Sequence, residues 1–416
     1  MHEVLAAGAS LDAEEFERRY ARFAVEVGAN VQRGQTVVVV GAPDQASLLR
    51  AVLEEAWAAG AGDVQSLYRD EIEDLLRATH AADDVLDRAP RSRLGLWEWM
   101  LDAEAAEIWL EGEVFPERWA SVDGARAVRV YRTKEAMPVR RRLINERRMA
   151  WTLLGAPTAA WAERIFGEPD VPRLRAAIAA ACRLDEADPV QAWRDRFEEL
   201  DERCAALTAR RFDALRFRGP GTDLTIGLIK GSRWLGGTSE TRWGQVHCVN
   251  LPTEEIFTTP DRRRTEGRLR TTRPVGFGGF LLEAVELEFE SGRGRLVGAA
   301  SGGDFVAGEL AKDDAAPYLG EVALVDGYSP VGQSGLLYHH PLYDENVTSH
   351  IAYGSAYTSP IPGTDDLAPD DLIVRGINES TVHTDLPIGG PEVEVAGVDG
   401  RGTETPILQG VDWVLD

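Results

Sequence analysis

The segment "VHTDLPIGG" (382–390) sets an imidazole and a carboxylate two residues apart. In an extended backbone His383 and Asp385 project to the same face, so both can reach one centre. Other potential ligands gather in the same half of the chain: Glu254 and Glu255 in "LPTEEIFTTP", Glu321 in "YLGEVALV", and His350 in "VTSHIAYGSAY". Zinc and related ions accept imidazole nitrogen and carboxylate oxygen. A site for two cations needs several carboxylates, because at least one must bridge the ions and offset their repulsion.

Each of these residues also has a simpler reading. His383 and Asp385 could be a surface pair on a loop. Glu254 and Glu255 could open a helix behind Thr253 as its cap. His350 could be a satisfied packing residue, on a short strand ending at Gly354 or on a helix that carries Tyr357 two turns on. Adjacent carboxylates in a strand face opposite ways, so Glu254 and Glu255 cannot serve one ion equally. Glu321 is the most suggestive acid, since a carboxylate at the mouth of an apolar strand is costly without a cation or donors.

Other chemistry is absent from the sequence. There is no nucleophile elbow, zincin helix, phosphate loop or calcium loop. His247 and Cys248 are neighbours, but side chains of adjacent strand residues diverge, which makes a poor nucleophile–base pair. The run "TTPDRRRTEGRLRTTRP" (258–274) brings Arg262, Arg263, Arg264, Arg268, Arg270 and Arg273 together. It is read either as a binder of a substrate carboxylate or negative partner, or as a strip that is simply solvated or paired with the acidic N-terminal domain.

The chain has 416 residues, 44% of them hydrophobic, enough for two or three domains with substantial cores. A formal net charge of −24 argues against general affinity for nucleic acid or anionic membranes. Three scattered cysteines form neither a disulfide framework nor a paired metal motif, which points to a reducing compartment, the cytoplasm. No secretory leader or membrane-length apolar run is read.

"LDAEEFERRYARFAVEVGANV" (11–31) has helical apolar spacing, "GQTVVVVGAP" reads as a buried strand, and "QASLLRAVLEEAWAAGAGD" reads as the next helix. "RAVRVYRT" (126–133) is expected to add a strand, and 134–215 to be almost wholly helical, with Trp151, Trp161 and Trp193 as packing residues. Beyond about 217, alternation replaces helical spacing: "VELEFE" and "RLVGAAS" read as a hairpin, as does the tail "PEVEVAGVDGRGTETPILQGVDWVL". The expected architecture is an α/β N-terminal domain with a parallel sheet (1–210, with a helical connecting region), followed by a mixed α+β, β-rich C-terminal domain (211–416).

Taken together, "YARFAVEVGANVQRGQ", "GTDLTIGL", "LPTEEIFTTPD", "GEVALV", "LYDENVTSHIAYGSAY" and "VHTDLPIGG" resemble, in order and interval, the thermophilic aminopeptidase family of dinuclear metallopeptidases, also called the aminopeptidase T or M29 family. The resemblance spans nearly the whole chain. It implies that Glu255, Glu321, His350, His383 and Asp385 hold two divalent ions, with Glu321 shared between them. Zinc or cobalt lead as the metals, with magnesium and manganese behind. It also implies that Tyr357 is catalytic and that the second domain is the metallopeptidase. The substrates would be short peptides with a free N-terminus, and the assembly a homodimer. Glu254, next to Glu255, is the expected general base. The alternatives are another dimetal amide or phosphoester hydrolase, and a catalytically inactive, metal-stabilised binding protein.

Overall fold

The computed structural model describes residues 11–415 except 87, 89, 90, 113–121, 124, 125, 127, 128, 131–143, 145, 278, 279, 365 and 366. They form two compact units. One holds residues up to 194 together with 238–252; the other holds 195–237 and 253 onward. The units interleave rather than follow one another across 210/211. The reason is topological: Asn250–Leu251 pairs in parallel with a strand of the first unit. The last sixteen residues of the long helix Pro189–Arg210 group with the second unit.

The first unit is built on a parallel sheet. Its helix Ala13–Phe23 starts at Asp12, whose side chain accepts from Glu15 N, as expected of a capping acid. Four six-residue strands follow: β1 (Thr36–Gly41), β2 (Asp63–Tyr68), β3 (Ala106–Glu111) and β4 (Ala150–Gly155). The sheet order is 250–251, β4, β3, β1, β2. Val37, Val38, Val39 and Val40 are all buried, as a strand covered on both faces requires. β4 corrects the reading of 134–215 as almost wholly helical. "WTLLG" is too short and too deeply buried for its neighbours' helical composition to decide its state. Trp161 and Trp193 are fully packed, as expected, while Trp151 lies half-buried at the edge of a cluster with Trp97 and Met100. Most of the expected strand at 126–133 lies outside the described residues; Arg126, Arg129 and Val130, which lie inside them, are helical.

The second unit packs two antiparallel sheets around one core. The larger has eight strands and includes both expected hairpins, Glu286–Glu290 with Arg293–Gly298 and Glu394–Val398 with Glu404–Gln409. The smaller runs β8 (His383–Pro387), β7 (His350–Gly354), β6 (Leu319–Leu324), β5 (Ile256–Thr258) and then Leu235–Gly236. Ile256, Val322, Leu324, Ile351, Tyr353 and Leu386 point from the smaller sheet into the shared core, where they meet Phe217, Leu224 and Ile226 of the larger one. Alternation sends the intervening residues to the opposite face. Among the described residues, no helix is long and apolar enough to cross a membrane.

His247, on a short strand of the first unit, is 3% exposed, and burial pulls its pKa down to about 4. The native state therefore holds it neutral, while the unfolded chain takes up a proton below its ordinary value. Stability contributed by this group is intact above that value and falls with pH down to about 4, at a slope of about 1.4 kcal/mol per pH unit. Urea denaturation across this range should give a shallower acid limb for His247→Gln than for the parent protein. Parallel limbs would rule out the mechanism.

Candidate metal centre

The face of the smaller sheet turned away from the core carries the expected ligands. In register, Glu321 lies opposite Ala352, which lies opposite Asp385; Ala323 lies opposite His350; and Gly354 lies opposite His383. Directly opposed residues in antiparallel strands share a face. Glu321, His350, His383 and Asp385 therefore converge over a floor of Ala323, Ala352 and Gly354. Any larger residue at 352 would stand between Glu321 and Asp385. Glu255 joins from the residue just before β5, two positions before Phe257, which pairs with Ala323.

Gly354 is required by its backbone. Its φ is +102°, and a Cβ there would lie 2.1 Å from the Val382 carbonyl oxygen. Beyond this sharp corner the Ser355 carbonyl returns to accept from His383 Nδ1 at 2.7 Å. A Cβ on Gly320 would lie 2.3 Å from that same oxygen. The two glycines thus allow the carbonyl to fix the His383 tautomer, leaving Nε2 to face the acids.

The donor atoms form two groups that share a residue. Glu255, Glu321 and His350 offer one set, and Glu321, His383 and Asp385 the other, each with its ligand atoms within 4.8 Å of one another. His350 Nε2 is 3.0 Å from Glu255 Oε2 and 3.9 Å from Asp385 Oδ1. His383 Nε2 is 3.3 Å from Glu321 Oε2 and 3.6 Å from Asp385 Oδ1. Despite the short approach of His350, Glu255 Oε2 is buried without an aligned hydrogen bond. An acceptor left in that condition fits a cation better than it fits a proton donor.

Electrostatics carry the same message. Burial raises the Glu321 carboxyl, and the charges of Glu255 and Asp385 raise it further, against the pull of His383. Burial draws His383 down, but Asp385 and Glu321 outweigh it and bring its pKa to about 9. His350 is likewise lowered by burial yet carried well above its ordinary value by Glu255 and Asp385. Excess negative charge collects any available positive charge. Imidazole and carboxylate donors shared in this way match the chemistry of a pair of divalent cations.

The family model of thermophilic metalloproteases (M29) matches residues 13–413. This chain belongs to the M29 family. It is 37% identical to aminopeptidase T of Thermus thermophilus over 95% of its own length and 98% of the relative's. It is 33% identical to aminopeptidase AmpS of Bacillus subtilis, over the same shares of the two chains. The solved structure of wild-type AmpT from Thermus thermophilus superposes with a TM-score of 0.85 at 34% identity, covering 96% of this chain and 99% of that one. This M29 protein is accordingly a metal-dependent aminopeptidase that acts on peptides through a dinuclear site.

Two further residues belong to the surroundings of the centre in this M29 chain. Glu345 is raised well above the usual carboxyl range by burial and by Glu255, Asp385 and Glu321, so it lies within the field of the cluster. The sequence signal was weak: an acid in "YDEN", one residue after another acid, on a short 3-10 turn (Glu345–Val347) with no periodicity to orient it. The second is Arg196, from the long helix. Glu254, the expected general base, points away from Glu255 and is 1% exposed. Its Oε2 accepts from Arg196 Nε at 2.8 Å, while its backbone N–H donates to Asn346 Oδ1 at 2.6 Å. Arg196 also donates to Glu199 Oε2 at 2.6 Å and, more loosely, to Asp326 Oδ2 at 3.4 Å. Asp326 is shared with Arg203 at 2.5 Å. Tyr357, on the loop after Gly354, sets its ring 5.2 Å from His383 and 5.4 Å from Phe257. The residue is 47% exposed, but loss of water around its hydroxyl, with the charges of Glu321, Asp385, Glu345 and Glu255, holds that group well above its ordinary pKa, hence as a proton donor.

Removing Arg196 would take its guanidinium from the buried Glu254 carboxylate, while Asp326 keeps Arg203. Breaking a buried pair from one side costs about 3–5 kcal/mol. Arg196→Met should therefore lower the free energy of unfolding by about that amount in urea denaturation. A change below about 1 kcal/mol would mean that the network is not under load.

Proposed function

We propose that Glu255, Glu321 and His350 hold one divalent ion and that Glu321, His383 and Asp385 hold the other, with Glu321 as the shared ligand. The observation that carries this reading is the convergence of two donor groups on one carboxylate. When bound, such ions supply a nucleophile from water at neutral pH and polarise the scissile carbonyl. The substrates are short peptides with a free N-terminus. Zinc and cobalt suit a mixed imidazole–carboxylate set best, with magnesium and manganese as weaker candidates. A homodimeric assembly and a cytoplasmic location complete the proposal. Among the described residues Cys182, Cys204 and Cys248 form no disulfide, which accords with a reducing compartment.

The chain's own groups then have distinct tasks. Tyr357, held protonated by its acidic neighbours, donates a hydrogen bond to the oxygen that gains charge as the scissile carbonyl becomes tetrahedral. The surplus carboxylates over the sheet attract the ammonium group of the peptide's free N-terminus, which makes cleavage an exopeptidase reaction. A general base has to accept the proton of the attacking water and return it to the leaving nitrogen. Glu254 adjoins Glu255 in the chain, but its carboxylate would have to exchange Arg196 for that proton. Glu345 competes for the role, because it lies within the field of the cluster and is raised by it.

Two measurements test these assignments. Chelation should abolish release of the first residue from a free-amine dipeptide series, and one of zinc, cobalt, manganese or magnesium should restore it. N-acetylated versions of the same peptides should stay intact. Equal cleavage of blocked and unblocked peptides would instead favour a general amide hydrolase. The second measurement is a variant panel with metal content assayed throughout. Tyr357→Phe should retain its metal and lose about 100-fold in kcat, equivalent to about 3 kcal/mol of activation energy. Of Glu254→Gln and Glu345→Gln, the one that keeps its metal and falls about 100-fold or more in kcat identifies the proton acceptor.

A further inference from the structure

Among the described residues, the strongly acidic chain has a concavity of opposite sign. It lies wholly within the second unit, has a volume of about 520 Å³, and is lined by Lys230, Arg263 and Arg375 against the single carboxylate of Asp261. Buried Ile229 and Ile361 form its apolar side. Volumes of this size are typical of small-molecule sites. Its cations are not equally committed. Arg263 is locked in a two-point contact with Asp261, Nε and Nη2 each donating at 3.0 Å. Arg375 is steadied by one terminal nitrogen, Nη1, which donates to the carbonyls of Pro362 at 3.3 Å and Gly363 at 3.0 Å. Among the described residues, neither Lys230 nor Arg375 has a carboxylate partner. Two exposed cations without counter-ions, beside a third held in place, make a site for an anion with an apolar attachment.

The hollow is tied to the metal centre by two chain segments. One runs from Glu255 along β5 to Asp261. The other runs from Tyr357 to Ile361. They are bonded to each other where Thr259 Oγ1 donates to the Tyr357 carbonyl at 2.6 Å. The second is bonded again where Arg233 N donates to the Pro360 carbonyl at 2.8 Å. Ile361 lies four positions beyond Tyr357, a span of at most about 14 Å, and Asp261 six positions beyond Glu255, at most about 21 Å. An extended peptide of roughly four to six residues spans those upper limits.

We propose that this hollow receives the C-terminal carboxylate of a short peptide whose N-terminus lies at the metal centre. The inference rests on the aminopeptidase reading and extends it: the enzyme senses both ends of its substrate, so peptide length is selected by charge at the far end. Lys230 and Arg375 bind the carboxylate, and Ile229 and Ile361 pack against the last side chain. Arg263 takes no direct part, because its fork is occupied by Asp261.

The test compares a tetrapeptide as free acid, as C-terminal amide, and as an amide ending in Asp. Calorimetry on the metal-free protein gives binding, and KM and kcat come from the metal-loaded enzyme. The free acid should bind about tenfold tighter than the amide and show a correspondingly lower KM at similar kcat. Lys230→Ala and Arg375→Ala should each erode that difference while leaving the amide's affinity and cleavage unchanged. Equal affinity for acid and amide overturns the proposal, as does an equal loss for both forms in the variants. Full recovery by the amide ending in Asp also overturns it, assigning the hollow to acidic side chains. Failure to cleave any of the three peptides would count against the aminopeptidase reading alone, because the calorimetric difference decides the hollow independently.

Discussion

The arrangement of the second unit depends on negative charge crowded onto one face of a sheet. Glu255, Glu321 and Asp385 meet there with two imidazoles, and Glu345 adds to their field. Carboxylates brought this close repel strongly wherever water is scarce, and proteins relieve the repulsion with protons or cations. In the metal-free chain the two imidazoles are drawn up to hold protons, and Glu321 is drawn up as well. Protons therefore occupy, electrostatically, the place that divalent ions take in the dinuclear site. Metal binding is an exchange of charge in which protons leave as cations arrive. A face built only for stability would not carry this repulsion.

What holds the repelling groups in place is the other side of the same strands. Ile351 and Tyr353 alternate with His350 and Ala352, and Leu386 follows Asp385, so every ligand on the sheet is flanked by a residue anchored in the core. Shifting a strand by one residue would carry each ligand into the core and each apolar side chain into the site. Register is therefore set by hydrophobic burial and inherited by the chemistry. The Arg196 network extends the same logic sideways. It draws the Glu254 carboxylate toward the long helix, while its neighbour Glu255 turns to His350.

Much of this was legible in the chain itself. The spacing of His383 and Asp385 was enough to place both on one face, and "VELEFE" and "TVVVVG" announced their strands by alternation and by continuous apolar burial. Gly354 weighed against a helix through His350 and Tyr357, but the strand and the helix both stood open until the fold was seen. Three features were hidden for physical reasons. The strand at 150–155 has the length and apolar content of a helix segment as much as of a buried strand. The attachment of 250–251 to the first unit's sheet is a two-residue pairing with no local pattern at all. The commitment of Glu254 to Arg196 joins residues 58 positions apart, and no periodicity reports a contact of that range.

The basic run at 258–274 is where sequence and structure bear on each other most closely. Read as a string, it is a cluster of like charges. Folded, it is a strand whose arginines separate by partner. Arg264 turns to Asp213, Arg263 to Asp261, and Arg262 lies over the ring of Tyr318, 4.3 Å from its centroid. These partners all belong to the same unit, so most of the positive charge is spent on the sheet's own acids and aromatics. The cations without counter-ions at the hollow come instead from outside the run, at Lys230 and Arg375. Charge counted along the sequence thus does not report which cations already have partners. Only the folded positions of Asp213 and Asp261 separate the arginines that are neutralised from the cations that remain available.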